Sequence, residues 1–339
     1  MRLLDLISQG HCATVRADDG VALAGAADFQ NELRRCPLRY VLSDELVRTA
    51  THLAYAEGDR LSACLDLIRV PACSLWVEWA DAPRQAVLRD VPSLNTCLDS
   101  AVGRAGVLLQ GASDCRSGRV RTFWSARDER AYLSPVITSF DFDGEPLPFG
   151  GADWRGAAVL TLPEEPAIDE LLRHLRFNFD AGWSAHYVSR CPNPEVRSRV
   201  LHSNLSGCAF DMPMLMAFFL LLGARNMLPR REVSLEKLNR RRAHSGKSPL
   251  LEHIEVSAPL DEPPAATSPR RGEALRDSPC LHHVRGHLVR RGSSVFWRSP
   301  HMRGSGRFGQ IRSRTVVLTF GNTPAPLGAG RATAVSASY

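Results

Sequence analysis

The sequence predicts an α+β fold, a mixed helical and antiparallel-sheet N-terminal body with a small basic C-terminal β module. Apolar residues recur at helical spacing over 43–69 and 168–177, short alternating runs separated by turn residues fill 74–162, and positive charge gathers beyond residue 225. With 339 residues, 44% of them hydrophobic, the chain can bury a substantial core and has the length of two ordinary domains. These patterns divide it into an α+β body at 1–163, a helical segment with a buried apolar helix at 164–230, a basic module at 231–320 with a Pro-rich linker at 258–279, and a flexible tail at 321–339.

The opening MRLLDLISQGHC holds one Arg and an apolar run broken by Asp5, too little for a secretory signal. Asp18-Asp19-Gly20 marks a turn, and a short helix starts near Phe29. Ser43 before Asp44 and Glu45 has the form of a helix N-terminus: its hydroxyl can accept a free backbone N–H, and the two acids favour the positive end of the dipole. Leu46, Ala50, Leu53 and Ala54, then Leu61, Cys64, Leu65 and Leu67, give one or two amphipathic helices around Gly58-Asp59. Pro71 ends that pattern. The run SLWVEW at 74–79 then alternates as a strand, Leu75, Val77 and Trp79 on one side and Trp76 and Glu78 on the other. Strand tryptophans ordinarily pack in cores, so both are assigned there.

Runs at 106–110, 119–124, 132–138 and 157–162 continue as short strands. Asp141, Asp143 and Glu145 surround Gly144 in a pattern like the start of a calcium loop. The closing acid of a twelve-residue loop is missing, so a solvated hairpin turn is the reading. Apolar residues at 168, 171, 172 and 175 predict a helix over 168–177. The uncharged run at 212–224 is shorter than the ~20 residues that a membrane span needs, so it reads as a core helix, with no membrane as partner. His174, His186 and His202 are isolated and read as surface or hydrogen-bonded structural residues. Nine cysteines without a CxxC pair read as reduced thiols of a cytoplasmic protein.

Residues 225–320 hold 19 Lys and Arg against 8 Asp and Glu, a net +11, while the rest of the chain is near −5. Such asymmetry points to an anionic partner, nucleic acid above all. A helix over 234–243 with Ser234 as its cap carries Arg240, Arg241 and Arg242, and 250–256 is a strand. The densest stretch is HHVRGHLVRRGSSVFWRSPHMRG at 282–304. At strand spacing His283, Arg285 and His287 share one face and Val284, Gly286 and Leu288 the other. Residues 290–294 make a turn, 295–297 return as a strand, and 315–320 form a closing strand.

The expected activity is sequence-tolerant nucleic-acid binding, with Arg240, Arg241, Arg242, Arg285, Arg290, Arg291, Arg298 and Arg303 on phosphates and Trp297, beside Phe296, as a stacking platform. An enzymatic alternative is a metal-independent ribonuclease in which His283, His287 and His301 exchange protons and Arg285 holds the charge of the transition state. Zinc held by Cys280, His282, His283, His287 and His301 fits poorly, since His283 and His287 on one strand face stand about 13 Å apart. No metal and no other cofactor is expected. A third alternative is a structural or assembly protein of a phage particle. Oligomeric state is not legible in the sequence.

Three segments, LWVEW at 75–79, LNRRRAHSGKSPL at 238–250 and HxxRGHxxRR…FW…HxRG over 282–304, resemble uncharacterised proteins of phages and proteobacterial prophages. The resemblance implies a mobile-element origin and no particular chemistry. The tail after Leu318 departs from it, being longer and of lower complexity.

Overall fold

The computed structural model describes residues 1–10, 26–91, 102–125, 130–147, 157–158, 166–180, 193–224, 227–258, 280–284, 287–298, 301–303 and 305–310. The linker expected at 258–279, apart from Ala258, the closing strand at 315–320, the tail at 321–339, the turn at Asp18-Asp19-Gly20 and His186 lie outside the described residues. The chain divides into two compact units, Met1–Asp261 with Gly286–Ser299, and Glu262–Arg285 with Pro300–Tyr339.

The first unit is α+β, built on one mixed sheet. Its strands are β1 (Leu38–Leu42), β2 (Ser74–Ala80), β3 (Arg104–Gly111), β4 (Ser117–Ser125), β5 (Ala131–Asp141), β6 (Ala157–Ala158), β7 (Leu175–Phe179), β8 (Arg230–Val233) and β9 (His253–Val256). Their order across the sheet is β6-β7-β5-β4-β3-β2-β1-β9-β8. From β2 through β7 neighbours run antiparallel, as the alternating runs predict. Around β1 the direction changes, because β1 is parallel to both β2 and β9. Strands 175–179, 230–233 and 253–256 therefore join the sheet begun by the first 140 residues.

Helices α1 (Leu3–Ser8), α2 (Ala26–Arg35), α3 (Asp44–Tyr55), α4 (Gly58–Ser62), α5 (Asp81–Leu88), α6 (Pro166–Leu172), α7 (Pro194–Gly223) and α8 (Glu236–His244) complete this unit. Ser43 caps α3 as expected, its hydroxyl accepting the Leu46 N–H at 3.3 Å. Every residue from Leu75 to Trp79 is buried, which requires cover on both faces of β2. Trp76 packs against Phe123, and Phe123 meets Phe29 of α2 edge to face. On the other face Tyr40 packs against Phe218 of α7. Gly106 faces Trp76: a Cβ there would come within 2.7 Å of the indole, so the strand opposite the ring carries hydrogen instead of a side chain.

The apolar helix is longer than its uncharged run. Asn204–Gly223 is long and apolar enough to cross a membrane by composition alone, but 94% of that window is buried inside the fold. Met214, Leu215, Met216, Ala217, Phe218 and Leu221 are fully buried, the all-round burial of a helix apolar on every side. Pro213 lies inside the helix and, lacking an N–H, donates no hydrogen bond there. The Phe210 carbonyl accepts the Tyr55 hydroxyl at 2.6 Å, tying α3 to α7.

Four expectations need correcting. The helix expected over 168–177 ends at Leu172, and Leu175–Phe179 is a strand, since Leu175 and Phe177 alternate with Arg176 and Asn178 and bury on the sheet. Ser234 does not cap α8: the helix begins at Glu236, and Ser234 donates to Glu252 instead. The stretch at 282–304 is divided between the units, with β10 (Cys280–Val284) and β13 (His301–Arg303) in the second and a hairpin of β11 (His287–Arg291) and β12 (Ser294–Arg298) in the first. In the second unit β10 pairs antiparallel with β13 and parallel with β14 (Ser305–Gln310). At Asp141 the carboxylate accepts the N–H groups of Asp143 and Gly144, and the neighbours of β5 are β4 and β7, so the segment is not the hairpin turn expected.

Candidate nucleic-acid interface

The hairpin takes its register from a two-residue loop, Gly292-Ser293, with Arg291 opposite Ser294 and Arg290 opposite Val295. Gly292 has φ +55°, which a glycine at the first loop position adopts without strain. Val295 is buried in the core of the first unit and anchors the ribbon. Arg290 fastens it: its guanidinium makes a two-toothed contact with Asp66 at 2.9 and 2.8 Å and donates to the Ala63 carbonyl. The Asp66 hydrogen bond holds the Arg290 proton more tightly than usual. Arg290 was expected on phosphate; the structure commits it to Asp66.

The other arginines divide between paired and exposed. Arg291 lies over the Phe296 ring, 5.8 Å from the centroid, and is exposed, as is Arg298. On α8, Arg240 pairs with Glu236 one turn away at 2.6 Å, while Arg242 donates to the Ser248 carbonyl at 2.8 Å and to Gln9 at 3.2 Å. Arg241 is exposed. Among the described residues no carboxylate forms an ion pair with Arg241, Arg291 or Arg298. Of the arginine triplet, then, two members are held and one is open.

The single polar face expected for His283, Arg285 and His287 does not exist as one strand. His283 is on β10, His287 begins β11, and Arg285 lies outside the described residues. His301 pairs in register with Val284, and His283 with Met302, so the backbone does not set His283 opposite His301. The side chains of His283, His287, His301, Trp297 and Arg303 also lie outside the described residues, as do those of Cys280 and His282. Among the described residues no three His, Cys, Asp or Glu side chains converge as a metal site would need.

The structure also buries charges that periodicity does not reveal. Glu78, fully buried, accepts the Leu3 and Leu4 N–H groups at 2.8 and 2.9 Å, the Arg104 guanidinium at 2.5 Å and the Trp76 indole at 3.4 Å. It thereby satisfies the first free donors of α1. Across the sheet Arg84 sits between Asp81 at 2.6 Å and Asp211 at 3.3 Å, and Gln85 donates to Asp81. One cation thus faces two acids. Burial, with Asp81 adding to it and Arg84 opposing, pushes the Asp211 carboxyl up to about 7. Burial likewise raises the Cys208 thiol to about 12, against the Ser134 hydroxyl 3.1 Å away. These groups fix helices to the sheet; only the SLWVEW spacing hinted at any of them, by pairing Glu78 with Trp76.

A pocket of about 450 Å³ opens where the parallel strands β1 and β9 end, lined by Leu42, Ser43, Arg230, Arg231, Glu255 and Val256 among others. Sequence reading missed it, because the parallel pairing that creates it joins segments more than 200 residues apart. Glu255 is occupied there by Arg231 and by Arg2 at 3.4 Å, and the Ser43 hydroxyl by the α3 cap. The groups worth testing are therefore the exposed Arg241, Arg291 and Arg298. No family model, curated protein or solved structure matches this chain.

Proposed function

We propose that the chain binds single-stranded nucleic acid with little sequence preference, in a phage or prophage setting, using Arg291 and Arg298 of the β11–β12 hairpin with Arg241 of α8. The observation that carries this reading is the contrast between Arg290, spent on Asp66, and Arg291 and Arg298, exposed without a carboxylate partner among the described residues. An anchored ribbon that leaves two guanidinium groups outward suits a polyanion: phosphate contacts supply affinity at any sequence, and Phe296 under Arg291 adds a ring that a base can approach. Partly open aromatic and arginine side chains together are the usual elements of sequence-tolerant binding.

Purification without nuclease treatment tests the proposal: polynucleotide is expected to come with the protein, shown by its ultraviolet absorbance ratio and removed by high salt. An Arg291→Glu, Arg298→Glu double variant is expected to come clean at the same salt and to retain its melting temperature. Wild-type protein free of polynucleotide that shifts no oligonucleotide at low salt overturns the reading. Cleavage of the bound RNA in excess chelator, lost in His287→Ala and His301→Ala, would replace it with the ribonuclease.

A further inference from the structure

Cys73 precedes β2, and Cys115 lies in the turn between β3 and β4. The β2–β3 ladder brings the two segments side by side: the Gly111 N–H donates to the Cys73 carbonyl at 2.8 Å, and the Val70 N–H to the Cys115 carbonyl at 2.9 Å. Both cysteines border one atom, the Ala112 carbonyl oxygen, 3.7 Å from the Cys73 Sγ and accepting the Cys115 N–H at 3.1 Å. Cys73 is exposed and Cys115 partly exposed, whereas Cys36, Cys64 and Cys208 are buried.

The backbone adds a second, independent observation. Ala112 to Cys115 closes a tight turn, the Ala112 N–H returns to the Ser117 carbonyl at 2.9 Å, and Cys115 sits at φ +59°, alone among the described non-glycine residues in having a positive φ. Glycine ordinarily fills that position in a hairpin, and a side chain there strains the backbone. The turn needs no side chain at this point. What cysteine brings is a thiol: its Sγ lies 3.9 Å from the Ser113 carbonyl oxygen of the same turn and has to rotate to meet Cys73.

We propose that Cys73 and Cys115 form a redox clip that closes as an intramolecular disulfide in the presence of a disulfide oxidant such as oxidised glutathione. One protein thiolate attacks a sulfur of the oxidant, forming a mixed disulfide and expelling a glutathione thiolate. The second protein thiolate attacks the protein-bound sulfur, forming the Cys73–Cys115 bond and expelling the other glutathione thiolate. The two protons shed by the protein thiols end on the two glutathione thiolates, and the oxidant takes up the two electrons. A disulfide requires Cα atoms within about 7 Å, so rotation of the thiols and settling of the short turn are the movements demanded. The clip has a structural reach, since Arg116, the next residue, donates to the Asp66 and Ile68 carbonyls at 2.9 and 2.8 Å, and the Asp66 carboxylate holds Arg290 of the hairpin.

The test is to equilibrate the full chain with graded mixtures of oxidised and reduced glutathione, alkylate the remaining thiols, and map the peptides by mass. The expected result is one cross-linked peptide pair, Cys73 with Cys115, lighter by two hydrogen atoms, with a raised melting temperature that reductant reverses. Cys115→Ser and Cys115→Gly are each expected to fold and to leave Cys73 carrying glutathione; the glycine variant also relieves the turn and guards against misreading a folding defect. The proposal is overturned if the wild-type chain carries glutathione separately on both cysteines, if either joins a different cysteine, or if both remain alkylated at ratios that trap the single-cysteine variants as mixed disulfides.

Discussion

At the scale of the residue, the first unit is decided by a few charges placed where charge is expensive. Arg84 with Asp81 and Asp211 forms a buried set of one cation and two acids. Removing the cation leaves two carboxylates in the core, so Arg84→Met is expected to cost about 3–5 kcal/mol of unfolding free energy in chemical denaturation. The surplus acid sets a pH dependence. The Asp211 carboxyl titrates near 7 in the folded chain, above its ordinary value. The folded state therefore holds this proton where the unfolded chain has lost it, and the associated stability, complete below the ordinary carboxylate range, is lost as pH rises through about 7. Melting temperature is expected to fall between mildly acidic and mildly alkaline pH, and Asp211→Asn to flatten that fall; an unchanged slope in the variant would assign the dependence to another group. Arg290 and Arg291, adjacent in sequence, are expected to separate by experiment. Arg290→Ala should speed amide exchange in the hairpin, while Arg291→Ala should leave exchange alone and weaken oligonucleotide binding.

At the scale of the element, α1 and α7 illustrate opposite ways of holding a helix. The six residues of α1 are too few for a helix to persist by itself, and it is secured by buried Leu3, Leu4, Leu6 and Ile7 together with the Glu78 carboxylate at its free N–H groups. Glu78→Ala is expected to release α1, seen as lost amide protection over residues 3–8 ahead of global unfolding. By contrast, α7 is held by apolar packing all round, so Phe218→Ala, which empties a fully buried ring site against Tyr40, is expected to cost about 3–5 kcal/mol. Both helices explain what the sequence disclosed. The Ser43 cap, the strand alternation of SLWVEW and the apolar content of α7 depend on neighbours a few residues away, and the structure has all three. The helix end at Leu172 was missed because Leu175 satisfies helical and strand spacing alike, and only the β5 partner decides.

At the scale of the whole molecule, the sheet gathers strands from residue 38 to residue 256, and its parallel pairings around β1 join segments that no local pattern links. That is why the α+β class was legible and the pocket at the ends of β1 and β9 was not. The candidate interface was legible in part: composition located the cations, and the turn read at 290–294 predicted a hairpin, whose loop is the shorter Gly292-Ser293. What composition could not supply was the identity of each arginine's partner, for Asp66, Glu236 and Gln9 claim three of the predicted contacts. Nor could it show that the histidines divide between two units. Charge along the sequence gives the sum, and folding decides how much of it faces outward. The most direct measurement is the affinity for a single-stranded oligonucleotide as a function of salt, for wild type and for Arg291→Ala, Arg298→Ala. The logarithm of affinity is expected to fall linearly with the logarithm of salt, by about 0.7 per phosphate contacted, and the double variant to lower that slope by roughly one to one and a half. A wild-type affinity that ignores salt, or a slope that the two substitutions leave untouched, would contradict the assignment of this surface to nucleic acid.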